Sequence, residues 1–103
     1  MLIVRSLNGV PIRLTEERWQ HIVRRHPEMD GQRRKVLETL TEPDTVQQGD
    51  FGALLAMRLY PDTPLTTKLL VVVYRELGSE DGIVLTAYLT GQPSARRVTI
   101  WKR

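Results

Sequence analysis

Three segments in the second half of this chain have the composition of β-strands, and short turn-forming links join them. The segments are residues 53–60, 68–76 and 83–90, and the links read PDTPLTT and LGSEDG. Aliphatic, β-branched and aromatic residues are typical of strands, and links this short connect strands that run antiparallel. The sequence therefore predicts an antiparallel meander, which the first half of the chain must cover.

The first half begins with a hairpin signal and continues into a helix with a well-defined start. Residues 2–5 and 12–14 flank an Asn-Gly dipeptide, which is a strong hairpin signal. Thr15 is the predicted N-cap of the helix that follows, because the next two residues are acidic and suit the positive helix end. Pro27 disfavours helical backbone at the residue before it, so we expect the helix to end there.

The remaining elements complete a single domain. A second helix is predicted from about Asp30 to Thr41, and a last strand, residues 97–101, is predicted to join the sheet after a turn at residues 91–93. With 103 residues, of which 41% are hydrophobic, the chain fits one domain with a modest core. The predicted fold is α+β, with two N-terminal helices packed on a mainly antiparallel sheet.

Alternation along the three strands predicts one apolar and one polar sheet face. The apolar face, which we expect to pack against the helices, comprises Leu55, Met57, Leu59, Leu69, Val71, Val73, Leu85, Ala87 and Leu89. The opposite face, which offers cations and hydroxyl groups, comprises Arg58, Tyr60, Lys68, Tyr74, Thr86, Tyr88 and Thr90, joined by Arg97, Thr99 and Trp101 if the last strand keeps register.

Both histidines of the chain lie in the first predicted helix, among arginines. Histidine is the side chain that exchanges protons near neutral pH. His26 follows Trp19, Ile22 and Val23 on the apolar stripe of the helix, whereas His21 faces away from that stripe, beside arginines. His26 can therefore be a catalytic group or a core histidine, and His21 takes part only if a substrate crosses the outer side of the helix.

The positive charges are clustered. The net charge is +3, and three clusters comprise Arg18, Arg24 and Arg25; Arg33, Arg34 and Lys35; and Arg96, Arg97, Lys102 and Arg103. Clustered cations favour a polyanionic partner such as RNA, although solvated helix faces and a frayed tail give the same pattern.

Cleavage of RNA through its 2′-hydroxyl needs a base, an acid and cations that bind phosphate charge. The candidate catalytic residues are His21, His26, Arg58, Thr86 and Tyr88. The candidate substrate-binding residues are Arg25, Tyr60, Lys68, Tyr74, Thr90, Arg97 and Trp101. No cofactor or metal is expected, because histidines at i and i+5 do not face one zinc ion and the sequence has no glycine-rich phosphate loop.

Four segments carry a resemblance to the phage-associated nucleases of the barnase, EndoU, colicin and RelE-like group. They are the run RWQHIVRRHPEM, the strand around VVVYR, the segment TAYLT and the closing IW, and the most specific is W-x-H-I-x-x-R-H-P-E from Trp19 to Glu28. The resemblance implies helices on a sheet and metal-independent RNA cleavage by the five candidate catalytic residues. It also implies a toxin or phage-encoded effector as the biological role, with a cognate antitoxin or inhibitor as a partner.

Two other functions stay open from the sequence. Basic clusters and sheet aromatics serve a non-catalytic RNA-binding module equally well, and a basic surface can also recognise an acidic protein. The chain has no cysteine, no recognisable signal peptide and no apolar run near the roughly 20 residues of a membrane-spanning helix. We therefore expect a cytoplasmic protein that does not contact the membrane.

Overall fold

The computed structural model describes residues 1–103 and has an α+β architecture with two helices and one seven-stranded sheet. The strands are β1 (Leu2–Arg5), β2 (Pro11–Leu14), β3 (Thr45–Gln48), β4 (Leu54–Thr63), β5 (Thr66–Glu76), β6 (Gly82–Thr90) and β7 (Thr99–Lys102). The helices are α1 (Glu16–Arg25) and α2 (Arg33–Thr41), and short 3-10 turns occupy Pro27–Met29 and Asp50–Gly52.

The sheet has the strand order β1-β2-β6-β5-β4-β3-β7. The meander predicted for the second half is confirmed, because β4, β5 and β6 pair antiparallel. One pairing was not predicted: β2 runs parallel to β6 through two residue pairs, Ile12 with Gly82 and Arg13 with Ile83. The N-terminal hairpin is therefore joined to the strand that follows the meander's last turn, and the sheet is mixed.

The local predictions for the first half are largely confirmed. Strands β1 and β2 form the hairpin, and the Thr15 hydroxyl caps α1 by accepting a hydrogen bond from the backbone N–H of Arg18 at 3.1 Å. Helix α1 ends at Arg25, with His26 as its C-cap. The second helix begins at Arg33, later than predicted, because the 3-10 turn and a glycine with φ of +81° separate the two helices.

Both helices pack on one side of the sheet, which we call the inner face, and the opposite side is the outer face. Trp19 and Ile22 from α1 and Val36 and Leu40 from α2 belong to one buried core cluster. The sheet contributes inward-pointing residues to the same cluster: Ile12, Leu14, Ala56, Tyr60, Leu70, Val72, Tyr74, Val84 and Ala87. A smaller buried cluster on the outer face comprises Leu55, Met57 and Val71.

The prediction of which residues share a sheet face is wrong for β4 and β5 and right for most of β6. The predicted helix-packing residues Leu55, Met57, Val71 and Val73 lie on the outer face, whereas Ala87 is on the inner face as predicted. The error arose because both sides of β4 and β5 carry apolar residues, so alternation does not identify the side that meets the helices. Consequently the predicted polar face is divided between the two sides of the sheet.

Four residues predicted to share a face with Thr86 and Tyr88 lie on the helix side instead: Arg58, Tyr60, Lys68 and Tyr74. The Tyr60 hydroxyl donates to the Glu38 carboxylate at 2.8 Å and lies 3.2 Å from the Thr39 hydroxyl, so it fastens α2 to β4. The Arg58 guanidinium donates to the Glu42 carbonyl at 2.9 Å beside the same helix end. These contacts make Arg58 and Tyr60 structural residues of the α2–β4 contact.

The end of the chain also differs from the prediction. Residues 45–48, expected to be part of a connection, form β3, and the last strand pairs with β3 instead of following β6. The segment 91–98 therefore crosses the outer face from β6 to the far edge of the sheet, and the Ser94 carbonyl accepts a hydrogen bond there from the buried Gln47 amide at 3.0 Å. Trp101 pairs with Val46 and lies on the inner face, away from Thr86 and Tyr88.

Neither helix has the length or the apolar composition that crossing a lipid bilayer demands.

Candidate functional site

The candidate site forms where the end of α1 meets the free edge of β6. Strand β2 pairs with β6 only as far as Ile83, so the edge of β6 beyond that residue has no strand partner. Helix α1 takes that place, and its Arg18 guanidinium donates to the Leu85 carbonyl at 3.3 Å. This contact positions the C-terminal end of α1, with His26, beside the second half of β6.

His26 lies against an aromatic residue of β6. Its ring centroid is 5.8 Å from that of Tyr88, with the two planes inclined by 36°. The Nδ1 atom of His26 is 3.8 Å from a Glu28 carboxylate oxygen, and 34% of the His26 side chain is exposed. Because the Nδ1 side of the ring faces this carboxylate, Nε2 is the nitrogen that can exchange a proton with a bound molecule.

A β-bulge presents the residues of β6 that face the site. Thr86 is opposite Val73 and the preceding residue pair is Val84 with Tyr74, so Leu85 is an additional residue in β6. Bulges re-aim side chains and are frequent beside active sites. Here the bulge places Thr86, Tyr88 and Thr90 on the outer face. The smaller apolar cluster is on the same face, and its Val71 pairs with Tyr88.

Arg75 is a residue of this region that the sequence analysis did not select. Alternation along β5 places it on the outer face after Val71 and Val73, and it pairs with Ile83. Its Nε atom is buried and has no hydrogen-bond partner, and no carboxylate lies within 4.0 Å of its guanidinium. Buried polar atoms nearly always have a partner, so the unpartnered Nε is unusual. Because no carboxylate is near, Arg75 is also a cation that the protein itself does not neutralise.

The sequence did contain a signal for Arg75. It follows the apolar run of β5 directly, as the last residue of VVVYR. Assigning Val71 and Val73 to the outer face would have identified Arg75 as the cation on that face. Arg58 was predicted instead because the faces of β4 and β5 were assigned the wrong way round.

The exposed side of α1 adds positive charge near the site. Arg18, Arg24 and Arg25 are exposed and have no carboxylate within 4.0 Å. Arg13, by contrast, is paired with Asp81 at 3.0 Å, and the hydrogen bond from Arg13 holds the pKa of that carboxyl below its usual range. Near the site, α1 and Arg75 therefore contribute cations that are not paired with carboxylates.

The two predicted catalytic histidines do not meet. His21 is exposed and lines a polar depression of about 290 Å³ whose other residues are Thr15, Glu17, Arg18 and Arg24. It points away from the core side of α1 that approaches β6, which leaves His26 as the imidazole beside Tyr88. Of the five candidate catalytic residues, the structure brings His26, Thr86 and Tyr88 together, and it places His21 and Arg58 elsewhere.

The predicted substrate-binding residues are divided in the same way. Thr90 and Arg97 line a cleft of about 170 Å³ on the outer face, together with Tyr88. Arg25 is exposed at the end of α1. Tyr60 and Tyr74 are only 6% and 1% exposed, and burial raises the pKa of both phenols well above their ordinary value. Neither phenol is available to a bound molecule.

Comparisons with known proteins add no relative. Searches of family models, curated proteins and solved structures each find no match to this chain. No group of three or more His, Cys, Asp and Glu side chains is arranged to hold a metal ion.

Proposed function

We propose that this protein is a metal-independent endoribonuclease of the barnase, EndoU, colicin and RelE-like type, whose site is the junction of α1 and β6. The observation that carries the proposal is the packing of His26 against Tyr88, on a sheet face that also carries Arg75, an arginine with no protein partner. The helices-on-sheet architecture and the W-x-H-I-x-x-R-H-P-E run are consistent with that type of nuclease.

In this proposal the 2′-hydroxyl of RNA attacks the adjacent phosphorus, and the bond to the 5′-oxygen of the next nucleotide breaks. His26 Nε2 removes the proton from the 2′-hydroxyl, while the other ring nitrogen, Nδ1, faces the Glu28 carboxylate at 3.8 Å. The Tyr88 hydroxyl, which makes no hydrogen bond within the protein, gives its proton to the departing 5′-oxygen, and the proton held by His26 then returns to the tyrosinate through solvent. The products are a 2′,3′-cyclic phosphate and a free 5′-hydroxyl, so atoms and charge balance without a metal.

Arg75 and Thr86 bind the phosphate in this scheme. Tyr88 pairs with Val71 of β5, and Arg75 is four residues further along that strand, which corresponds to about 13 Å. Thr86 pairs with Val73 and so lies between Tyr88 and Arg75 on the sheet. A guanidinium holds phosphate oxygens through two parallel hydrogen bonds, and a threonine hydroxyl contributes a third donor. Donors already in position when charge develops on the phosphate lower the barrier most effectively.

The test is cleavage of a mixed-sequence RNA by the purified protein in the presence of EDTA. We expect fragments that end in 2′,3′-cyclic phosphate, and we expect DNA of the same sequence to stay intact because it lacks the 2′-hydroxyl. Binding of RNA without cleavage would replace the proposal with an RNA-binding module. Failure to bind RNA at all would favour recognition of an acidic protein by the basic face of α1.

A further inference from the structure

A cleft adjoins Tyr88 on the outer face of the sheet. Its floor consists of Leu55, Met57 and Val71, which are 4%, 2% and 1% exposed. Its walls are Tyr88 and Thr90 on one side and the crossing segment 91–98 on the other, which contributes Gln92, Pro93, Ser94 and Arg97. The volume is about 170 Å³.

The lining of this cleft suits a flat ring with a polar edge. Pockets that take small molecules combine apolar walls with a few polar groups, and proteins that read single-stranded RNA place bases against aromatic side chains. The buried floor and the Tyr88 ring supply the apolar surfaces. Phosphate suits this cleft less well, because the floor is apolar and the one cation of the lining, Arg97, lies 3.4 Å from the Asp50 carboxylate; a peptide helix is excluded by the volume.

Most polar groups at the rim of the cleft already contact another group of the protein, and one does not. The Ser94 carbonyl accepts from Gln47, Arg97 lies 3.4 Å from Asp50, and the Thr90 hydroxyl donates to the Gln92 carbonyl at 3.5 Å. The side-chain amide of Gln92 makes no hydrogen bond to the protein and is exposed. A glutamine amide has both donors and an acceptor, which allows it to pair with the edge of a base.

Tyr88 connects the cleft to the proposed reaction site. His26 packs against Tyr88, and the same residue forms a wall of the cleft. A base in the cleft therefore belongs to a nucleotide whose ribose and phosphate lie next to His26.

We infer that this cleft binds the nucleobase of the nucleotide that supplies the attacking 2′-hydroxyl, and that Gln92 selects which base is accepted. The inference rests on the proposed ribonuclease function and adds a specificity site to it. Cleavage then depends on the base 5′ to the broken bond.

The experiment uses short RNAs that differ only in that base, including one with an abasic ribose at the position. We expect the wild-type protein to prefer one base, and we expect Gln92→Ala to reduce kcat/KM for that base by about tenfold, at the lower end of what a paired amide contributes. Cleavage of the abasic RNA should not change. Gln20→Ala is the matched control, because Gln20 is an exposed glutamine of α1 outside the cleft.

The inference and the proposed function can fail separately. A wild-type protein that cleaves RNA with a base preference unchanged by Gln92→Ala would overturn the cleft assignment and still support the proposed nuclease function.

If no RNA is cleaved, the four nucleoside 3′-monophosphates and ribose 5-phosphate serve as NMR probes. Base-dependent shifts at residues 88–97, lost in Gln92→Ala, would support the cleft. Identical shifts with ribose 5-phosphate, or none, would overturn it.

Discussion

The imidazole of His26 and the phenol of Tyr88 pack with their centroids 5.8 Å apart, although they come from opposite halves of the chain. The contact exists because β6 loses its β2 partner after Ile83 and α1 occupies the vacated edge. One residue thus comes from the end of a helix and the other from an internal strand whose β2 side is unpaired at that position. Each proposed role follows from this junction.

We expect His26→Ala to reduce RNA cleavage by about 100-fold to 10,000-fold, the contribution typical of a general base. The initial rate on a defined RNA measures it, and thermal unfolding checks that the variant folds. His21→Ala is the control and should cleave close to the wild-type rate, because His21 is exposed on another side of α1. Loss of cleavage in His21→Ala but not in His26→Ala would show that His21, and not His26, is the reacting imidazole.

We expect different roles for the two arginines of β4 and β5, and the variants Arg75→Ala and Arg58→Ala test them. Arg75→Ala should lower kcat by roughly 100-fold, as removal of one phosphate-stabilising donor does. Arg58→Ala should leave kcat unchanged and lower the free energy of unfolding by about 1 kcal/mol or less, since its pair with Glu38 at 3.7 Å is partly exposed. A kcat loss confined to Arg58→Ala would contradict the assignment.

Tyr60→Phe and Tyr88→Phe should have opposite effects. The Tyr60 hydroxyl is hydrogen-bonded to Glu38 and close to Thr39, so its removal should lower the free energy of unfolding by about 1–2 kcal/mol. The Tyr88 hydroxyl has no protein partner, so Tyr88→Phe should leave stability unchanged and slow cleavage. Urea unfolding and cleavage rates measure the two effects, and destabilisation by Tyr88→Phe would indicate a hidden structural role.

Stability should fall in alkaline solution. Burial raises the pKa of Tyr60 and of Tyr74 above the ordinary value of 10.0, and Glu76 adds to the effect at Tyr74. The unfolded chain releases these protons near pH 10 and the folded protein retains them. The contribution to stability is therefore complete below about pH 10 and is lost as the pH rises further.

The measurement is urea unfolding at about pH 8 and about pH 11, with tyrosinate absorbance as the second readout. Fewer than all three tyrosines of the chain should ionise in the folded protein at the higher pH. Tyr60→Phe should show a smaller fall in the free energy of unfolding between the two pH values. A fall of equal size in Tyr60→Phe and the wild type would mean that Tyr60 does not contribute.

Gly82→Ala should destabilise the protein, because β6 passes closely between two strands at this residue. A Cβ there would lie 2.8 Å from the Arg75 carbonyl and would also clash with the Ile12 side chain. Overpacking of this kind costs about 1–3 kcal/mol. Gly78→Ala is the control, since a Cβ at Gly78 meets nothing within 4 Å. Equal stability of the two variants would show that the strands move apart easily.

The elements were predictable where local chemistry specifies them. The Asn-Gly turn, the Thr15 cap and the proline after His26 each determine a boundary without tertiary contacts, and the structure has all three. The strands of the meander were predictable for the same reason, because turn residues separate them.

The arrangement of the elements was less predictable. Both faces of β4 and of β5 carry apolar residues, so the choice of inner face depends on the Tyr60 hydroxyl finding partners on α2, which no pattern along a strand reveals. The bulge at Leu85 depends on the positions of β5 and α1. Strand β3 reads TVQQ and is too short and polar to be recognised before its neighbours are known. The sequence singled out His26 and Tyr88, which the structure brings into contact, whereas recognising Arg75 required the correct strand faces.

The parallel pairing of β2 with β6 has a consequence for synthesis on the ribosome. A nascent chain that stops short of residue 82 contains the hairpin, both helices and His26, yet it has neither the strand against which β2 closes nor Tyr88. Contacts this distant along the chain form late and slowly. Under the proposed function, the polypeptide therefore carries His26 through most of translation without the Tyr88 partner that RNA cleavage requires.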